Sequence, residues 1–100
     1  MHHELKIWPS FYEEVKSGRK PFDIRRNDRG FQKGDTITFR EWDPDKAVAV
    51  TVELGVSLPP PSEDPRYTGR TFTRAVSYVL SGWGVQPEHV ALGLAPGAPT

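Results

Sequence analysis

Ser17-Gly18-Arg19-Lys20-Pro21-Phe22-Asp23-Ile24-Arg25-Arg26-Asn27-Asp28-Arg29 is the stretch on which the rest of the chain is organised. From Lys16 to Lys33 there are seven Lys or Arg against two Asp, a net charge of +5, so a chain of zero formal net charge carries −5 elsewhere. After Pro21 the order Phe, Asp, Ile, Arg alternates with the two-residue period of a strand. Alternation predicts Phe22 and Ile24 entering a core, with Asp23 and Arg25 together on the opposite face and Arg19 and Lys20 at the strand's entrance. Gly18 is the expected left-handed stop of a preceding helix, and Asn27-Asp28-Arg29-Gly30 reads as a turn.

Working outward, His3 to Trp8 alternates as a short strand with His3, Leu5 and Ile7 on one side and Glu4 and Lys6 on the other. Ser10-Phe11-Tyr12-Glu13 has the form of a capping box and predicts a helix over 11–17, with Phe11 and Val15 on its buried face, reinforced by Trp8 and Tyr12. Phe31 to Asp35 reads as a second turn. Thr36 to Trp42 alternates cleanly, with Ile37, Phe39 and Glu41 on one face. Glu41 is then either a strand-end carboxylate in solvent or one that faces a cavity.

The β-branched run over 47–54 predicts another strand, and the proline-rich segment over 58–65 a loop. Thr71 to Leu80 predicts a long strand with Phe72, Val76, Tyr78 and Leu80 inward; Arg74 shares their parity, which requires a strand end or a cleft. Val90, Leu92 and Leu94 form the inner row of a last strand, and 95–100 reads as a tail. The result is an α+β, mostly β fold: a small antiparallel barrel with one early helix over an opening. One hundred residues suit one domain, taken as 1–94 with an insertion at 46–66.

The chain has no cysteine, and so neither disulfides nor thiolate metal sites. His2 and His3 have no third ligand nearby in sequence, so no metal or cofactor is expected. No apolar run reaches membrane-span length and no secretory signal pattern opens the chain, which points to a soluble cytoplasmic protein without a membrane partner. Zero net charge argues against a protein that coats nucleic acid without regard to sequence, while a local basic patch suits one strand or one nucleotide.

Several motifs together resemble a family. His3-x-Leu5-Lys6, Phe11, Ser17-Gly18-Arg19-Lys20-x-Phe22-Asp23-Ile24-Arg25-x-Asn27-Asp28-Arg29, Phe31, Gly34-Asp35, Tyr67-Thr68-Gly69-Arg70, Val76-x-Tyr78-Val79-Leu80 and Val90-Ala91-Leu92-Gly93-Leu94 resemble a small bacterial and phage ASCH-like domain family of unknown function. The resemblance implies a PUA-like barrel with a cleft between barrel and helix, and its Gly-x-Lys-x-x-x-x-Arg element places Lys20, Asp23 and Arg25 at the site. Some ASCH-like proteins resemble amidohydrolases of acylated cytidines that use a Thr two residues before the Arg. Here that position is Asp23, which does not supply the same hydroxyl nucleophile.

The leading expectation is therefore a module that binds RNA, another single-stranded nucleic acid or a nucleotide through Lys6, Lys20, Asp23, Arg25, Arg26 and Arg29. Arg25 offers a planar fork to phosphate, Lys20 a point charge, and Asp23 an acceptor for an exocyclic amine. Lys6 is either part of that cleft or a surface lysine paired with Glu4. Arg26 and Arg29 either contact a nucleic-acid backbone or only solvate the turn, and Trp42 and Trp83 either stack on bases or pack over barrel ends. Arg70 is a weaker pocket candidate. The first alternative is a hydrolase of modified nucleosides or RNA with Lys20, Asp23 and Glu41 catalytic. The second is a protein-interaction module using the basic turn or the 46–66 insertion.

Overall fold

The computed structural model describes residues 1–46 and 64–97. The strand expected over 47–54 and most of the loop expected over 58–65 lie outside the described residues. The elements run β1 His2–Ile7, α1 Pro9–Lys16, β2 Phe22–Arg26, β3 Thr36–Trp42, β4 Tyr67–Leu80 and β5 His89–Leu94. The strands form one sheet in the order β1-β3-β4-β5-β2. The fold is a small, mostly β, α+β architecture, but two features differ from a closed antiparallel barrel. β1 and β3 pair in parallel, which the long connection through α1 and β2 allows. β1 and β2, the two outer strands of the sheet, do not pair with each other, so the sheet is not closed.

The core takes one row from each of β1, β3, β4 and β5: Leu5 and Ile7, Ile37 and Phe39, Phe72 and Val76, and Val90, Leu92 and Leu94, with Tyr12 and Val15 from the helix. Phe39 stacks on Phe72 at 5.1 Å between centroids, and Tyr12 meets Phe72 edge-on at 5.0 Å. Such aromatic pairs add roughly 0.5–1.5 kcal/mol beyond their buried area. Phe31, in the turn before β3, also joins the core and packs on the His3 ring at 4.7 Å. His3 Nε2 in turn lies 2.8 Å from Asp35 Oδ2, so the buried histidine and carboxylate satisfy each other.

The helix begins two residues earlier than a Ser10 cap would set it. Pro9 occupies the first turn, Trp8 is the N-cap, and the Trp8 carbonyl accepts from the amides of Phe11 and Tyr12 at 3.0 Å each. With Ser10 inside the helix no capping box forms, and Glu13 pairs instead with Arg70. The shift also turns Tyr12 rather than Phe11 to the core. At the other end Gly18 has φ +86°, the left-handed stop that its sequence position predicts. The buried Arg74 guanidinium caps this end, donating to the Lys16 carbonyl at 2.7 Å.

Two irregularities of β4 decide which side chains face inward. Against β5, Val76 pairs with Leu94 but Tyr78 pairs with Gly93, so Ser77 is an extra residue and parity inverts beyond it. Val79 then packs on the core and Tyr78 is exposed, the reverse of the simple alternation. Against β3, Arg40 pairs with Thr71 and Trp42 with Tyr67, leaving Thr68, Gly69 and Arg70 opposite Glu41. Gly69 turns this bulge at φ +92°.

Candidate functional site

β2 is where the decisive stretch departs most from its alternation reading. It pairs antiparallel with β5 in the register Phe22↔Gly93, Asp23↔Leu92, Ile24↔Ala91, Arg25↔Val90. Directly opposed residues of an antiparallel pair share a face. Leu92 and Val90 point into the core, so Asp23 and Arg25 point inward with them, and Phe22 and Ile24 go to the outer face. Asp23 is 9% exposed, whereas Phe22 is 44% and Ile24 55% exposed. The expectation that the apolar pair fills the core is therefore corrected: β5 fixes the parity, and the open seam beside β1 gives the inward charges room.

The seam is bridged by side chains. Arg25 Nη2 donates to the Lys6 carbonyl of β1, and Arg29 Nη1 donates to the Glu4 carbonyl at 2.8 Å. Arg25 Nε also donates to Asp23 Oδ2 at 2.5 Å, a charge-assisted bond that fixes the carboxylate at the seam. Arg25 is thus half-buried with its fork shared between one carboxylate and one backbone oxygen.

At the end of the seam nearest the helix lies a cleft of about 690 Å³, lined by Lys6, Ile7, Trp8, Phe11, Lys20, Phe22, Asp23, Ile24 and Arg25. Its volume falls within the roughly 300–1,000 Å³ of small-ligand sites. Trp8, Phe11, Phe22 and Ile24 are large apolar side chains left exposed around it. Lys20 Nζ sits 4.1 Å from the Phe11 ring centroid and 5.5 Å from that of Phe22, so the ammonium is held over aromatic faces. The cleft combines flat apolar walls, three cations and one buried carboxylate.

Four of the six residues expected to bind ligand, Lys6, Lys20, Asp23 and Arg25, line this one cleft. Lys6 takes no part in a described ion pair with Glu4; its Nζ lies 4.7 Å from the Trp42 ring centroid. Arg29 lines a second, smaller hollow of about 260 Å³ with Glu4, Leu5, Lys6, Arg25, Arg40 and Tyr67. Arg26 stands apart, exposed, 3.4 Å from Glu88 and beside Asn27 and Asp28.

Glu41 is buried, which excludes the solvated strand end, yet it is not among the cleft residues. Its Oε1 accepts from the Thr68 hydroxyl at 2.7 Å and lies 3.6 Å from Arg70 Nε, both supplied by the β4 bulge. Arg70 also pairs with Glu13 and covers the Tyr12 ring at 4.1 Å. The hydrogen bonds Arg70 donates to Tyr12 and Glu13 raise its already high pKa. Arg70 thereby ties helix to sheet.

The aromatic walls are what the sequence reading missed. The sequence pattern puts Trp8 and Phe11 on the helix's packing face and Phe22 in the core, whereas all three are exposed. No local signal in the sequence marks this, because the register of Phe22 opposite Gly93 is visible only in the strand pairing. Trp42 is occupied by Lys6 and Arg66, each 4.7 Å from its centroid, and its indole N–H donates to Asp64 at 3.0 Å. The Arg66 fork on Asp64 holds that carboxyl well below the usual range. Trp83 is almost wholly exposed at the tip of the β4–β5 connection and lines neither hollow. Among the described residues no group of three His, Asp or Glu could hold a metal ion, and no helix is long and apolar enough to cross a membrane.

Fold and cleft together make this one of the small α+β domains whose open sheet carries a ligand-sized hollow at its seam. The chain belongs to the family described as a domain of unknown function (DUF3850), whose model matches residues 2–94. It is also similar to an uncharacterised 12.9 kDa protein in the GpA 3′ region of Escherichia phage P2, with 35% identity over 40 residues. That match spans 40% of this chain and 37% of the phage protein.

Proposed function

We propose that the domain binds a nucleotide or an unpaired nucleic-acid base in the cleft between α1 and the β1–β2 seam. One observation carries the reading: exposed aromatic rings surround Lys20 while the Asp23–Arg25 pair occupies the seam beside them. Rings of this kind stack on any base, at about 1–3 kcal/mol per base. Asp23 accepts hydrogen bonds from an exocyclic amine or ring N–H, and Lys20, Lys6 and Arg25 face the phosphate.

The resemblance to ASCH-like domains supports the same reading, since it implies a site at Lys20, Asp23 and Arg25. Binding is favoured over hydrolysis for a specific reason. Of the three residues a hydrolase reading needs, Glu41 is engaged by Thr68 and Arg70 and is absent from the cleft, while Asp23 is held by Arg25.

Trp8 lines the cleft and reports on it, so titration of intrinsic fluorescence with the four ribonucleoside monophosphates and with N4-acetylcytidine tests the proposal. Saturable quenching is expected, weakened roughly 5- to 150-fold in Phe22→Ala, the equivalent of one lost stacking partner. Absence of binding to every one of these ligands at millimolar concentration overturns it. Turnover of the acylated cytidine, followed by mass spectrometry and abolished in Asp23→Ala, would instead establish the hydrolase.

A further inference from the structure

Five charged or titratable side chains are buried among the described residues: His3, Asp23, Asp35, Glu41 and Arg74. Four of them have an acid–base partner, since His3 pairs with Asp35, Asp23 with Arg25 and Glu41 with Arg70. Arg74 is the exception. Its Nη1 donates to the Thr73 carbonyl at 2.8 Å and its Nη2 to the Lys16 carbonyl at 2.7 Å, and no described Asp or Glu pairs with it. Carbonyls satisfy N–H groups but bring no net charge. The end of α1 supplies roughly half a negative charge, so about half of the guanidinium's charge has nothing to oppose it.

Arg74 lines a hollow of about 270 Å³ whose other walls are Val15, Gly18, Pro21, Leu94, Ala95 and Pro96, none of them charged. Its Nε has no partner among the described residues, where no fully enclosed side-chain nitrogen or oxygen lacks one, so Nε reaches open space. The walls are held in place by backbone bonds: the Leu94 amide donates to the Pro21 carbonyl and the Ala95 amide to the Ala75 carbonyl, at 2.9 Å each.

We propose that this hollow is a second binding site, for a small organic monocarboxylate with an apolar body. The carboxylate meets the Arg74 guanidinium, and the body lies against the apolar walls. An inorganic anion would oppose the charge and leave the walls uncovered; a neutral apolar molecule would do the reverse. The site is independent of the cleft beside Lys20 and of what binds there, because no residue lines both.

Hexanoate and 1-hexanol share an apolar chain and differ in charge, so calorimetric titration of the intact protein with each, at constant ionic strength, tests the proposal. Hexanoate should bind saturably and at least about tenfold more tightly than hexanol, the contribution of a hydrogen bond to a charged group. Affinity should rise from acetate through butanoate to hexanoate by up to about fourfold for each methylene buried. Amide NMR shifts should fall on Gly18, Leu94 and Ala95 and spare Trp8 and Arg25 in the cleft. Arg74→Met, which keeps an apolar stem and removes the charge, should abolish the preference for hexanoate over hexanol.

Equal affinity for hexanoate and hexanol, or for hexanoate and inorganic phosphate, overturns the proposal. So does the absence of hexanoate binding at tens of millimolar, or a shift map that misses the hollow. A folded Arg74→Met protein that still prefers hexanoate overturns it as well. If that variant does not fold, the titrations and the shift map of the unaltered protein decide the question.

Discussion

Phe22→Ala separates two packings of the decisive strand. With Phe22 in the core, truncation would remove a buried ring and leave a cavity, at a cost of about 3–5 kcal/mol. In the structure Phe22 is 44% exposed on the outer face of β2. Only a little over half of its surface is covered. Scaling the roughly 1.5–3 kcal/mol for full burial of such a side chain by that fraction gives about 1 kcal/mol. For a domain of this size that is a fall of about 4–8 °C in the thermal midpoint. Phe39→Ala, on a fully buried ring stacked on Phe72, serves as the control and should lose about 3–5 kcal/mol. Urea unfolding of both variants beside the wild type measures the contrast. Equal losses of 3 kcal/mol or more would place Phe22 inside and turn Asp23 and Arg25 away from the cleft.

Two further outcomes follow from the packing. Hydrogen bonds from His3, from the chain's amino group and from the Gln32 amide hold the Asp35 carboxyl at about 2 instead of its ordinary 3.8. Its folded pKa is the lower one, so its stabilisation is complete above about pH 4 and is lost as pH falls through about 2. Acid unfolding of Asp35→Asn should accordingly show a shallower loss of stability between pH 4 and 2 than the wild type, and parallel curves would contradict this. A Cβ at Gly93 would meet Ser77 Oγ at 3.0 Å and Tyr78 Cβ at 3.3 Å, so Gly93→Ala should cost about 1–3 kcal/mol in urea unfolding. Part of that loss should return in Ser77→Ala/Gly93→Ala; a neutral Gly93→Ala would show that the bulge yields freely.

Much of this arrangement was legible in the sequence, and the exceptions have physical causes. Rows such as Leu5–Ile7, Ile37–Phe39 and Val90–Leu92–Leu94 read correctly because each strand keeps one parity along the core. The helix stop at Gly18 read correctly because it is local. What alternation cannot give is which row of an outer strand faces in when the candidates are Phe-x-Ile and Asp-x-Arg, since hydrophobicity alone selects the first. Register against Val90 and Leu92 selects the second. Tyr78 fails for a related reason: the extra residue Ser77 is visible only in the pairing. The charge cluster is visible in the sequence, whereas Phe11 and Phe22 beside it read as interior residues, so the apolar walls of the cleft emerge only with the strand pairing.

An amide NMR titration of the intact protein with a ribonucleoside monophosphate tests the central claim most directly. Saturable shifts are expected at the cleft-lining Trp8, Phe11, Lys20, Phe22, Asp23 and Arg25, including the Trp8 indole. Shifts confined to the Arg26, Asn27 and Asp28 turn, or none at millimolar ligand, would contradict it.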